Sequence, residues 1–283
     1  MGVSIVIDST ADLPIEEINR YSVNVVPLNV HFGESLYKDG VDLSSEEFFH
    51  KLKASKVIPR TSQPSPADFH KVYKPLVERG DTIISIHISK ELSGTYQSAV
   101  IASNMFDENA DITVFDSKTA SVGLGMIAYR CCQEIEKGAD KTQILKLIEQ
   151  LADEQMVIFG VDTLEFLNRS GRIGKASAMI GTLLNVKPIL TVNSEGLVAP
   201  MGKIRGNSKI FSYLIQKIKD KYENRPIDII VGHAASSEKK EKLVQLANKE
   251  LNIRFCLESD IGSVIGTNTG PGVLGLVAQP VNE

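Results

Sequence analysis

The chain has 283 residues, 31 basic and 35 acidic, a net charge of −4, and an aliphatic-rich composition without tryptophan. That length suits one large or two ordinary domains. The near balance of charge excludes the clustered basic surface of a nucleic-acid binder and supplies no polybasic patch for a membrane surface.

Met1 to Asp8 carries no positive leader, and Val3 to Ile7 reads as a first strand. Val23–Val30, Thr82–Ile88 and Ile112–Phe115 are strand-like as well, with helical patterns at 45–55, 66–79, 95–105, 121–137 and 141–153 between and after them. The alternation predicts crossover units and a largely parallel sheet. After about residue 155 the rhythm changes. Met156–Val161, Val186–Val192, Leu197–Ile204, Ile227–Gly232 and Ile253–Glu258 read as strands, with helices at 207–222 and 237–250. Asn193-Ser194-Glu195-Gly196 reads as a hairpin turn. The predicted fold is α/β: an N-terminal three-layer domain with a parallel sheet over 1–157, then a smaller α/β domain with a mixed or antiparallel sheet over 158–283. No apolar run approaches the roughly 20 residues of a membrane-spanning helix. The three cysteines, Cys131 and Cys132 among them, have neither a disulfide pattern nor zinc-ligand spacing. A cytoplasmic protein with no membrane insertion and no nucleic-acid partner is predicted.

Ligands of parallel sheets sit beyond the carboxyl ends of the strands. Three such loops bear hydroxyls: Asp8-Ser9-Thr10, Ser89 to Tyr96, and Asp116-Ser117. In the second, Ser93-Gly94-Thr95 opens a helix, where free N–H groups favour a phosphate or a carboxylate. An internally satisfied cap explains the same residues. Arg60-Thr61-Ser62-Gln63-Pro64-Ser65-Pro66 makes Ser65 a helix cap with Pro66 at the first helical position, and leaves Thr61 and Ser62 without a structural task. Gly266-Thr267-Asn268-Thr269-Gly270-Pro271-Gly272 reads as a glycine-rich loop but lacks the lysine of a phosphate loop. After a helical turn at Leu164 and Leu167, Arg169 and Arg172 follow in a glycine-rich loop. They are solvated or form a docking surface for protein or phosphate. The aliphatic stretch Met179 to Leu190 suits a tunnel wall or plain core.

Ser93 does not sit in a nucleophile elbow, and none of His31, His50, His70, His87 and His233 stands in an acid–base signature. No acidic cluster has metal-ligand spacing. A serine-dependent acyl hydrolase or acyltransferase and a phosphate- or nucleotide-binding protein stay open as alternatives.

Together Asp8-Ser9-Thr10, Thr61 to Ser65, Ser93 to Ala99, Asp116-Ser117, Gly171-Arg172-Ile173, Lys187 to Leu190 and Thr269-Gly270-Pro271-Gly272 resemble the DegV family, the fatty-acid-binding subunits of bacterial fatty acid kinase. The resemblance implies a non-catalytic protein whose C-terminal domain holds the tail of a long-chain fatty acid, with no further cofactor. The carboxylate would lie between the domains, on Thr61, Ser93 and Asn268, with Ser62, Gly94 and Thr95 as supporting loops. It also implies a partner, a dihydroxyacetone-kinase-like subunit that phosphorylates the bound acid to an acyl-phosphate for phospholipid synthesis. Arg172 and Arg205 are placed on the kinase-facing surface by position. The family has histidine where this chain has Asn268, which can donate and accept but not titrate.

Overall fold

A computed structural model describes residues 2–181, 186–206 and 208–281. The first half runs β1 (Val3–Asp8), α1 (Ile15–Arg20), β2 (Asn24–Val26), β3 (Asn29–Phe32), β4 (Ser35–Lys38), α2 (Ser45–Ala54), β5 (Arg60–Ser62), α3 (Pro66–Glu78), β6 (Thr82–His87), α4 (Thr95–Ser103), β7 (Ile112–Asp116), α5 (Val122–Glu136) and α6 (Lys141–Glu154). The second runs β8 (Met156–Gly160), α7 (Glu165–Ser170), β9 (Lys187–Val192), β10 (Val198–Ile204), α8 (Ser208–Tyr222), β11 (Ile227–His233), α9 (Ser237–Glu250), β12 (Ile253–Asp260), α10 (Ser263–Thr269) and β13 (Leu274–Pro280).

β2, β1, β6 and β7 form an all-parallel sheet in that order. Alternation sorts its side chains onto two faces. Val6 and Ile83 pack under α3 and α4 with Phe69, Tyr73 and Leu76, whereas Ile5, Ile7, Ile84 and Ile86 pack against α5 and α6 with Leu124, Ile127 and Ile148. The result is the three-layer arrangement. Helix starts follow local chemistry: Ser44, Ser65 and Asp140 each close a reciprocal capping box, and Pro66 occupies the first turn of α3.

The second sheet has six strands in the order β10-β9-β8-β13-β11-β12, antiparallel except for β11 with β12. It is mixed, as predicted, and has more strands than the parallel sheet. Residues of α8 and α9 such as Leu214, Ile218 and Leu243 pack on Ile229, Val231 and Leu276. On the opposite face Val122 and Met126 of α5 meet Val157, Ile230 and Val277, so α5 lies between the two sheets.

The structure departs from the sequence reading at several points, the unread α1, β4 and β5 among them. Pro27 interrupts the strand read at Val23–Val30, because proline has no N–H for the ladder. β2 therefore joins the parallel sheet, while β3 forms a separate antiparallel sheet in the order β4-β3-β5. The segment read as a glycine-rich loop is helical through Thr269; only Gly270 and Gly272 take positive φ, 81° and 84°. β13, not predicted, is a central strand between β8 and β11.

Candidate functional site

A cavity of about 460 Å³ lies where the two halves of the chain meet, within the size range of small-molecule pockets. Its walls are apolar. Ile88, Leu92 and Val122 come from the parallel-sheet side, Val157, Phe159 and Leu276 from the six-stranded sheet, and Val264 and Ile265 from α10. The apolar lining is thus shared by both halves and not confined to residues after 157. Of the predicted wall Met179 to Leu190, residues 182–185 lie outside the described residues, and the others line neither this cavity nor its neighbour.

One end is polar. Thr61, Ser62, Gln63, Ser93, Gly94 and Asn268 line it, which brings together the carboxylate-binding residues expected from sequence. Strand β5 sets the first group: Thr61 pairs opposite Val30 and Ser62 opposite Asn29. The Ser62 hydroxyl is engaged by Asn29 Nδ2 at 3.2 Å and His31 Nε2 at 3.0 Å, whereas Thr61 Oγ1 has no partner among the described residues. Thr61 is therefore the hydroxyl that β5 leaves available, and Ser62 braces it.

The start of α4 sets the second group. Thr95 N–H donates to Ser93 Oγ at 3.3 Å, and the two hydroxyls share a 2.8 Å hydrogen bond. Gln63 reaches across to donate to Ser98 Oγ at 3.0 Å and passes directly over Gly94. A Cβ at Gly94 would stand 2.1 Å from Gln63 Oε1, so the close approach of the two loops requires glycine here. Asn268 closes the site from α10. Its Nδ2 donates to Val264 O at 2.8 Å, which fixes the amide orientation and leaves one N–H and the carbonyl oxygen for other partners.

Arg172 is the one ionisable side chain in the described lining. Its Nε donates to Leu92 O at 3.3 Å and its Nη1 to Ser170 O, so two carbonyls hold the guanidinium in place. Arg172, Thr61 and Asn268 also line a second cavity of about 700 Å³, which adds Arg60 and Arg169. The two cavities therefore meet at the polar end. Arg205, by contrast, is exposed beyond β10 and lines neither.

No histidine lines the described cavity. His87 is instead fully buried, with Nδ1 3.0 Å from Asp8 Oδ2 and Nε2 2.6 Å from Ser85 Oγ, which in turn bonds Tyr73. The Asp8-Ser9-Thr10 loop is thus tied into the sheet, and Asp116 likewise accepts from the Lys118 N–H. Of the three strand-end loops only Ser89 to Tyr96 reaches the cavity. Gln63 and Arg60 were missed as site residues, whereas Arg169 had been read with Arg172 as a candidate docking surface. A polar residue beside Thr61 and Ser62 was the available signal for Gln63; nothing local distinguished Arg60.

Two buried acids stand behind α10. Asp12 accepts from Gly262 N–H at 2.8 Å and from Ser121 Oγ at 2.5 Å, and Asp39 accepts from Ser263 N–H at 3.1 Å. Burial raises both carboxyls above the usual carboxylate range, Asp12 strongly, against the lowering effect of these hydrogen bonds.

Residues 2–281 match a family model described as "Uncharacterised protein, DegV family". A DegV domain-containing protein of Deinococcus radiodurans is 37% identical over 284 residues, covering 100% of both chains. Among solved structures, a DegV family protein from Thermus thermophilus, described for its fatty acid binding, superposes with a TM-score of 0.94 at 38% identity, covering 99% of this chain and 100% of that one. A stearic acid-binding protein from Eubacterium ventriosum superposes with a TM-score of 0.91 at 28% identity, covering 99% of this chain and 98% of that one.

Proposed function

This chain belongs to the DegV family, and from that premise we propose that it binds one long-chain fatty acid and itself catalyses nothing. The acyl chain occupies the cavity between an N-terminal domain, 1–157, and a C-terminal domain, 158–283. The carboxylate sits at the polar end on Thr61, Ser93 and Asn268. The observation that carries this reading is an apolar cavity ending in the hydroxyls of Thr61 and Ser93, neither of which bonds a histidine or a carboxylate among the described residues. The fatty acids bound by the Thermus and Eubacterium proteins support it.

The energetics agree. Roughly fifteen methylenes at about 0.8 kcal/mol each give on the order of 12 kcal/mol gross, of which ordering and lost translation offset about half or more. A buried carboxylate must be hydrogen-bonded, or its desolvation cancels the remainder. Thr61 Oγ1 and Ser93 Oγ meet that need while staying neutral, so a carboxylate oxygen keeps its nucleophilicity. A hydrolase using Ser93 would need a general base, and the described lining has no histidine or carboxylate.

In this proposal the acid is presented to a dihydroxyacetone-kinase-like partner, which transfers phosphate from ATP to give an acyl-phosphate for phospholipid synthesis. The second cavity supports this, since it meets the carboxylate end at Arg172. Arg172 and Arg205 serve the kinase-facing surface.

Native mass spectrometry of the protein as purified tests the reading. A co-purifying mass of about 250–290 Da, on the scale of such a pocket, is expected. Thr61→Ala and Ser93→Ala should each weaken binding roughly tenfold or more, the scale of a hydrogen bond to a charged group. A nucleotide mass, or indifference to added fatty acid, would refute it. A covalent acyl-protein after incubation with an activated ester would instead favour the hydrolase.

A further inference from the structure

Helix α10 carries Val264, Ile265, Asn268 and Thr269 into the cavity, yet it begins without a capping side chain of its own: its N-cap is Gly262. The first N–H groups of a helix have no partner within it and must be satisfied from elsewhere. Here the partners come from the opposite end of the chain. Asp12 Oδ1 accepts from Gly262 N–H at 2.8 Å, and Asp39 Oδ1 accepts from Ser263 N–H at 3.1 Å and from Ser263 Oγ.

The two carboxylates converge on one point. A Cβ at Gly262 would stand 2.9 Å from Asp12 Oδ1 and 3.5 Å from Asp39 Oδ1. The same chain segment is gripped further along: Ser259 Oγ donates to Asp12 O, Ser45 Oγ donates to Ile261 O at 2.7 Å, and Phe48 and Phe49 pack so closely on Gly266 that a side chain there would collide with both rings. Asp12 also touches the cavity lining directly, through Ser121.

We infer that Asp12 and Asp39 are positioning residues for the head-group end of the cavity: they cap α10 from across the molecule and so fix where Asn268 and Thr269 stand relative to Thr61 and Ser93. The arrangement does not depend on charge. As a carboxylate Asp12 accepts from both Gly262 N–H and Ser121 Oγ. In its neutral form one oxygen keeps the Gly262 bond while the O–H donates to a Ser121 hydroxyl turned to accept, and an asparagine amide reproduces that second pattern. The raised carboxyls of both residues accord with that neutral form. At Asp39 an amide oxygen likewise keeps the bonds from Ser263.

The ligand arm of the test rests on the proposed fatty-acid binding; the other arm does not. In ligand-free protein, amide hydrogen exchange at 264–270 is compared among wild type, Asp12→Ala, Asp39→Ala, Asp12→Asn and Asp39→Asn, and palmitate affinity is measured by titration calorimetry. Each alanine variant is expected to lose roughly tenfold protection and roughly tenfold affinity, the scale of a lost helix cap with its hydrogen bonds, while each asparagine variant stays within about threefold of wild type. Ile148→Ala, on the buried face of α6, supplies a destabilised control that should keep its affinity. Unchanged exchange in the alanine variants overturns the inference, as does an equal loss of affinity in Ile148→Ala or equal damage from asparagine. Lost protection in a protein that never binds palmitate leaves the cap standing and removes the fatty-acid reading instead.

Discussion

Gly94→Ala probes the contact that sets Thr61 against Ser93. Gly94 has φ −72°, a value open to alanine, so the substitution by itself should stabilise by about 0.4–1 kcal/mol through the unfolded chain. The new Cβ would lie 2.1 Å from Gln63 Oε1, 2.7 Å from Cδ and 2.8 Å from Nε2, so Gln63 must leave. That breaks its 3.0 Å bond to Ser98, a buried hydroxyl. The lost bond and stranded hydroxyl cost about 1–2 kcal/mol and a displaced rotamer roughly 1 kcal/mol more, for a net destabilisation of about 1–2 kcal/mol. Gln63→Ala alone loses the same bond without a clash, about 1–2 kcal/mol. In the double variant the clash has no partner and the bond is lost only once, so its cost should fall about 2–3 kcal/mol below the sum of the singles. Urea titrations of the four proteins measure the cycle. Additivity within about 0.5 kcal/mol would show that Gly94 and Gln63 do not constrain each other and refute the reasoning.

Two further outcomes are expected. Arg130→Ala should destabilise by about 3 kcal/mol, because fully buried Asp228 then keeps only the Arg254 guanidinium; Arg130→Met should recover part by packing, and an unchanged urea midpoint in Arg130→Ala would contradict this. His233 is held below the ordinary histidine range by burial, with the Asp260 carboxylate opposing, and its Nδ1 accepts the Ser236 N–H, which protonation would disrupt. A depressed folded value means stability present above about pH 6.5 and lost as pH falls below it, so wild type should weaken between about pH 7 and pH 5 relative to His233→Asn. Equal slopes in unfolding free energy for the two proteins would remove the assignment.

Much of the fold was written locally. The capping boxes at Ser44, Ser65 and Asp140 and the alternation of Val6 against Ile5 and Ile7 are decided by neighbouring residues, so helix positions and the parallel sheet were legible from sequence. Thr61 stood out because its loop gave it no structural task, whereas a helix cap explained Ser93 equally well. What failed locally did so for a shared reason. Pro27 marks a break in a strand, but the partner chosen by β3 after the break depends on β4 and β5. The 266–272 segment looked like a loop because its cap lies elsewhere: two aspartates more than two hundred residues away complete α10. A short helix gains too little from its own hydrogen bonds to declare itself, and tertiary contacts decide it. The sequence by itself thus determined the alternating layers and the hydroxyl-bearing loops. Only the tertiary structure decided which loops meet: Thr61, Ser93 and Asn268 line one cavity because β5 pairs with β3, Gln63 packs over Gly94, and Asp12 and Asp39 hold α10. Convergence of distant segments is set by packing and long-range hydrogen bonds, which no local pattern encodes.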